Sequence, residues 1–214
     1  MTSFSLLIPT AGRPELECAL SSIVLQLAPE DEVIVIGDTL DDPLLHSQAI
    51  VESFGPQFRW IEHKDEEHTF GHRQLNAGIA AARGDYIHCQ DDDDIWSDDA
   101  LPSMRRAALQ FPGRPFLFRF ISRHHGQPFW DRYGLLAQDH VGGHCLVTPN
   151  TTGKVGKWSD RYQGDFDFVL DTVTLQGGID NVIWRDEIIA VARPGAEHRQ
   201  LVMEIAGRWP AFAA

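Results

Sequence analysis

The sequence predicts an α/β fold, a single doubly wound and mostly parallel sheet flanked by helices. Two observations carry this. Short apolar runs alternate with stretches of helical period through the first half of the chain, and each apolar run is closed by Gly, Pro or Asp. The polar residues of note also gather just beyond the carboxyl ends of those runs, where open parallel sheets bind their ligands.

The elements follow in order. Phe4 to Ile8 reads as a buried strand, stopped by Pro9-Thr10-Ala11-Gly12-Arg13-Pro14, with Pro14 suited to a first helical turn. Leu16, Leu20, Ile23, Val24 and Leu27 recur at the spacing of one buried helix face. Glu32 to Ile36 is a second buried strand ending in Gly37-Asp38, and residues 43–54 read as a second helix. Phe58 to Ile61 forms a third strand. Leu75, Ile79 and Ala82 mark a helix closed by Gly84, and Tyr86 to Cys89 delivers a fourth strand into Gln90-Asp91-Asp92-Asp93-Asp94-Ile95-Trp96.

That acidic run is the chemical centre of the sequence. Two unit charges about 4 Å apart cost about 4 kcal/mol at an effective dielectric near 20, so consecutive carboxylates call for a cation. Oxygen donors suit Mg²⁺, Mn²⁺ or Ca²⁺ better than zinc. The competing reading is a solvated loop that opens a helix, since Ser97, Asp98 and Asp99 are good capping and first-turn residues.

With 214 residues and 43% hydrophobic content, the chain suits one domain with a sizeable core. The formal charge of -13 opposes general binding to nucleic acid or an anionic bilayer. No window is apolar enough for a membrane span, and the N-terminus lacks a secretory pattern, so a cytoplasmic location is expected. Cys18, Cys89 and Cys145 have no CxxC spacing and read as reduced thiols.

Taken together, Ile8-Pro9-Thr10 with Arg13, Val33-Ile34-Val35-Ile36-Gly37-Asp38, Arg73 with Asn76-Ala77-Gly78, Ala82-Arg83-Gly84-Asp85-Tyr86-Ile87 and Asp91-Asp92-Asp93-Asp94-Ile95-Trp96 resemble the family 2 glycosyltransferases of the GT-A fold. The resemblance covers roughly the first half. In the second half, Gly164-Asp165-Phe166-Asp167 resembles the family's acidic segment at a helix start, and Glu197-His198 lies where members carry a late histidine. The family usually has an acidic residue just before the matching Asp; here Gly164 stands there.

The resemblance implies transfer of a single sugar from a UDP- or GDP-sugar to an acceptor hydroxyl, with inversion and with help from Mn²⁺ or Mg²⁺. The processive QxxRW signature is missing. Asp93 is implied to ligate the metal, with Asp91 and Asp92 placing the ribose or sharing the ion and His198 as a further metal or diphosphate contact. Asp94 has only a bracing role for the following helix. Asp38 would accept an imino N–H of the base, Thr10 and Arg13 would line the nucleotide pocket, and Arg73 would meet the diphosphate or donor sugar. For Arg73 a plain surface role stays open.

Asp165 opens a helix whose Phe166, Val169, Leu170 and Val173 are expected to be buried, ended by Gly177-Gly178. The implied role is catalytic base, deprotonating the acceptor hydroxyl; the alternative is a helix-stabilising Asp. Asp167 is the reserve base. Trp130, Tyr133, Trp158 and Tyr162 are candidate sugar platforms or core residues, and residues 148–159 are a candidate lid. The expected organisation is one domain, with a Rossmann-like nucleotide-sugar half at 1–96, an acceptor half at 97–199 and a helical tail at 200–214. The tail would pack on the domain or, in a homodimer, on a second subunit.

Two other functions compete. A sugar nucleotidyltransferase would need a glycine-rich first loop, and Thr10 to Pro14 holds one glycine. A non-catalytic nucleotide- or cation-binding module would place Asp165 away from the acidic run.

Overall fold

The computed structural model describes residues 2–38, 44–64, 69–122 and 128–194. The predicted alternation is present: β1 (Phe4–Thr10), α1 (Leu16–Val24), β2 (Glu32–Gly37), α2 (Leu44–Ser53), β3 (Phe58–Glu62), α3 (His72–Ala81) and β4 (Tyr86–Cys89). β5 (Ile95–Trp96), α4 (Ala100–Gln110), β6 (Phe116–Ser122), β7 (Leu146–Pro149), α5 (Gly164–Leu175) and β8 (Ile183–Ala192) complete the helices and strands of the described residues. The tail at 200–214 lies outside the described residues.

One curled sheet runs in the order β3-β2-β1-β4-β7-β6-β8-β5. β3, β2, β1 and β4 are mutually parallel, as are β6 and β8. β7 is antiparallel to both β4 and β6, and β5 is antiparallel to β8. Chain order reverses at β1, between β2 and β4, which makes the carboxyl ends of β1 and β4 the switch point of the sheet. The reversed β7 matters most for function. Its first residues meet the last residues of β4, with Val147 opposite His88, so the segment just before β7 arrives beside the acidic run.

Alternating strand residues supply two cores. Leu6, Ile8, Val33 and Val35 pack with Leu16, Leu20 and Ile23 of α1 and Leu101 and Met104 of α4. Leu7, Ile34, Ile36 and Ile87 pack on the other face with Leu75 of α3 and Phe168, Val169 and Val173 of α5. Helix α5 is rotated relative to the stripe expected from sequence. Phe168, Val169, Thr172 and Val173 are buried, whereas Leu170 is 43% exposed and Phe166 only partly covered. The rotation follows from Trp158, which stacks on Phe168 at 4.8 Å between centroids and draws that ring inward. Trp158 and Trp130 are therefore core residues, 5% and 2% exposed, while Tyr133 and Tyr162 face solvent. The stretch at 143–145 is a single 3₁₀ turn. Among the described residues no helix is long and apolar enough to cross a membrane.

A buried ion pair ties the first core together. Asp31 accepts from the Phe4 and Ala28 amides at 3.0 and 2.7 Å and from Arg105 Nη2 at 2.6 Å, with its side chain fully enclosed. Asp31→Ala is expected to cost about 3 to 5 kcal/mol of unfolding free energy, because it leaves Arg105 without its buried partner. Urea denaturation measures it.

His88 makes the stability depend on pH. Its ring is fully buried, donates from Nδ1 to the Leu146 carbonyl at 3.0 Å, and is pushed down to about 4, first by burial and also by the His144 charge. A histidine with a depressed folded pKa stabilises fully above its unfolded value near 6.5 and loses that contribution as pH falls towards the folded value. Between pH 7.5 and pH 5 this removes about 2 kcal/mol. His88→Gln is expected to flatten the stability profile over that interval by this amount, as read by denaturation at the two pH values.

Candidate active site

The switch point opens into a cleft of about 410 Å³, lined by Thr10, Arg13, Asp38, Asp91 and Asp92 together with Pro9, Phe70, Gly71, Gln74 and Arg193. Five residues singled out from sequence therefore share one hollow. The reason is topological. Thr10 and Asp38 end adjacent parallel strands, and the Asp38 amide donates to the Thr10 carbonyl at 3.0 Å. Asp91 and Asp92 follow β4 on the other side of β1.

Each carboxylate of the run has a different environment. Asp92 accepts from Thr10 Oγ1 at 2.6 Å and lies 3.7 Å from Arg13. Burial pushes it up to about 7, against the Thr10 hydrogen bond and the Arg13 charge and with the repulsion of Asp91 and Asp93. Asp93 is bound by Arg13 Nη1 at 2.5 Å and faces Arg193 Nε at 3.4 Å. Its second oxygen, Oδ1, is buried with no hydrogen-bond partner among the described residues. Asp94 is almost fully enclosed, accepting from Gln90 Nε2 at 2.6 Å and from the Arg193 amide at 2.9 Å. Burial is the main force raising it to about 7.

His144 completes the cluster. Its Nε2 lies 3.3 Å from Asp91 Oδ2 and 3.4 Å from Asp94 Oδ2. Burial works against its charge, but Asp91, Asp94 and Asp165 outweigh that and raise it to about 9. Burial alone would raise Asp91; the His144, Arg193 and Arg13 charges instead hold it below the usual carboxylate range. One oxygen each from Asp91 and Asp94 and one nitrogen from His144 lie within 4.8 Å of one another, a spacing that fits one divalent ion. A mixed oxygen and imidazole set suits Mn²⁺, and the partnerless Asp93 Oδ1 adds an unsatisfied donor to the same run.

Asp165 stands at the start of α5, where the exposed N–H groups favour an anion. Its Oδ1 accepts from the Phe166 amide at 2.7 Å. Its Oδ2 rests against Gly142, where an added Cβ would sit 2.7 Å away. Burial raises its affinity for a proton, opposed by the Phe166 amide, His144 and His72 and aided by Asp91. Asp165 therefore belongs to the same electrostatic cluster as the acidic run. Asp167, the reserve base, is occupied, accepting from Ser159 Oγ at 2.6 Å and from Arg161 Nε at 2.5 Å. Gly164 has a steric cause: an added Cβ would meet His72 Nδ1 at 2.5 Å and the Ser159 carbonyl.

Arg73 is not in the cleft lining; it donates to Asp160 from Nε at 3.2 Å and Nη2 at 2.7 Å. His198 lies outside the described residues. His144 and Arg193 are the residues that sequence reading missed. No local signal marks His144, since its placement depends on the antiparallel β7. Arg193 stands at the carboxyl end of β8, a position the same sheet-edge rule could have flagged.

A wound sheet with an open cleft and clustered carboxylates at its switch point defines an α/β protein of the class that binds ligands at the carboxyl edge of its strands. The sequence model described as glycosyl transferase family 2 matches residues 5–133. The chain belongs to that family. The match ends before His144 and Asp165, whose placement rests on the geometry above. No curated protein matches the sequence. Among solved structures, S. aureus TarS is similar with a TM-score of 0.70 and 17% identity, over 97% of this chain and 39% of that one. A shorter TarS form, determined in complex with UDP-GlcNAc, gives 0.69 and 17% over 94% and 61%. The mannosyltransferase PcManGT from Pyrobaculum calidifontis, in complex with GDP-Man and Mn2+, gives 0.64 and 16% over 91% and 58%. The chain thus spans less than two thirds of these neighbours' lengths, and at these identities they establish the GT-A fold alone.

Proposed function

We propose that the protein transfers a single hexose from a UDP- or GDP-sugar to an acceptor hydroxyl, with inversion at the anomeric carbon. The observation that carries this reading is the convergence of Thr10, Arg13, Asp38, Asp91 and Asp92 on one cleft. Asp38 accepts from the base, Asp92 and Thr10 hold the ribose, and Arg13 and Arg193 face the diphosphate as guanidinium groups suited to phosphate oxygens.

Asp91, Asp94 and His144, with Asp93 through its partnerless Oδ1, would hold a divalent cation, Mn²⁺ or Mg²⁺. When bound, that ion supplies Lewis-acid stabilisation of charge on the departing diphosphate. His198 remains a proposed further donor. Asp165 accepts the proton of the acceptor hydroxyl as the oxygen forms its bond to the anomeric carbon and the bond to the diphosphate oxygen breaks on the opposite face. The raised proton affinity that burial gives Asp165 suits a base.

A thermal-shift screen of UDP and GDP, with Mn²⁺ and with excess EDTA, tests the reading. Stabilisation by a nucleoside diphosphate that depends on Mn²⁺ is expected. Equal stabilisation in EDTA would reassign the acidic run to Arg13, Arg193 and His144 as its permanent counter-ions. No stabilisation by either nucleotide would remove the donor site altogether.

A further inference from the structure

A second cavity, of about 700 Å³, is lined by Arg119, Phe129, Trp130, Asp131, Asp139 and His140, with Pro128. Backbone strain singles it out. Among the described residues, the non-glycine positions with positive φ are Phe70, Trp130, Asp139 and Arg193. Phe70 and Arg193 line the cleft already described; Trp130 and Asp139 line this second cavity. Left-handed backbone at such residues costs free energy and persists where surrounding structure holds it for a purpose.

Arg119 is the chemical feature of this cavity. The pairing of β6 with β8 is irregular on both sides of Arg119, whose partner Ile188 lies beyond the inserted stretch at 185–187. Such bulges re-aim side chains beside functional sites. The guanidinium carbon lies 4.4 Å from the Trp130 ring centroid, and Trp130 is fixed by a 2.8 Å bond from Nε1 to the Phe118 carbonyl. Arg119 Nη2 pairs with Asp186 at 3.0 Å, while its Nε is buried with no hydrogen-bond partner among the described residues. The side chain of Asp186 is 65% exposed, so the pair is open to exchange with solvent. The other carboxylates are Asp131, whose side chain is 84% exposed and faces His140 at 3.5 Å, and Asp139.

We infer that this cavity is the acceptor site and that Arg119 selects an acceptor carrying an oxyanion, a sugar carboxylate or sugar phosphate. This rests on the glycosyltransferase reading above. The Nε and Nη2 edge of a guanidinium matches two oxygens of a carboxylate or phosphate, and Asp186 satisfies only one of those donors. A ligand oxyanion takes both and displaces Asp186 towards water. A neutral hydroxyl can satisfy Nε but offers no charge to replace Asp186. Two residues beyond His140 in the chain, Gly142 lies against Asp165, the proposed base.

The experiment is calorimetric titration of the full chain, with UDP and Mn²⁺ present, using glucose, glucuronic acid and glucose 6-phosphate as probes. At least one charged sugar is expected to bind about tenfold or more tighter than glucose, the factor that one hydrogen bond to a charged group supplies. Preference between the two separates carboxylate from phosphate recognition. Arg119→Met is expected to erase the difference, and Asp186→Asn to strengthen binding of the charged sugar by removing its competitor. Asp186→Asn keeps the cavity packing intact, so it serves where Arg119→Met fails to fold. Equal binding of all three sugars, no binding of either charged sugar, or weaker binding in Asp186→Asn overturns the inference. If UDP or GDP binds while these outcomes occur, the donor reading survives and only the acceptor assignment falls; absence of binding by both nucleotides defeats both.

Discussion

Asp165→Asn is expected to lower the rate of sugar transfer about 10² to 10⁴-fold while leaving nucleotide affinity within about twofold, as befits loss of a proton acceptor rather than of a binding group. Asparagine keeps the bond from the Phe166 amide and the fit against Gly142, so the helix start is preserved. Steady-state kinetics with a UDP- or GDP-sugar, paired with calorimetry of the bare nucleotide, separates the two effects. Near-normal turnover in this variant would move the base elsewhere. Asp167 is poorly placed to inherit the role, since Arg161 and Ser159 already occupy its oxygens.

His144→Ala is expected to weaken Mn²⁺ binding about a hundredfold, the upper range for disturbance of a metal's supporting residues and a lower bound for loss of a direct donor. Manganese titration followed by electron paramagnetic resonance, at fixed UDP, reads this without requiring turnover. Asp93→Asn is the informative companion. If Asp93 Oδ1 belongs to the donor set, the two substitutions weaken Mn²⁺ binding alike. If Asp91, Asp94 and His144 suffice, Asp93→Asn instead frees Arg13 and leaves the ion in place. Unchanged Mn²⁺ affinity in His144→Ala would remove the imidazole from the set and return attention to His198.

Much of the molecule is legible in local pattern because local pattern is set by backbone geometry. The spacing of Leu16, Leu20 and Ile23 follows from 3.6 residues per helical turn, and these side chains are indeed buried together. The apolar runs at β1, β2 and β4 stand as strands, and a parallel sheet places whatever follows them at a common edge, so Thr10, Asp38 and Asp91 meet as expected. Burial of α5 was less legible. Phe166 and Leu170 have the right spacing, but Trp158, a residue outside the helix, rotates the face that turns inward.

The sequence by itself determined the wound sheet, its switch point and the carboxylates that crowd there, because each depends on periodicity or on the end of a strand. Only the tertiary structure decided that His144 faces Asp91 and Asp94, that Gly142 backs Asp165, and that Arg73 turns to Asp160 instead of the cleft. Those outcomes hang on β7 running against β4 and on loops packed across the sheet edge. Contacts between residues far apart in the chain are fixed by the joint packing of the whole domain, which no short stretch of sequence encodes.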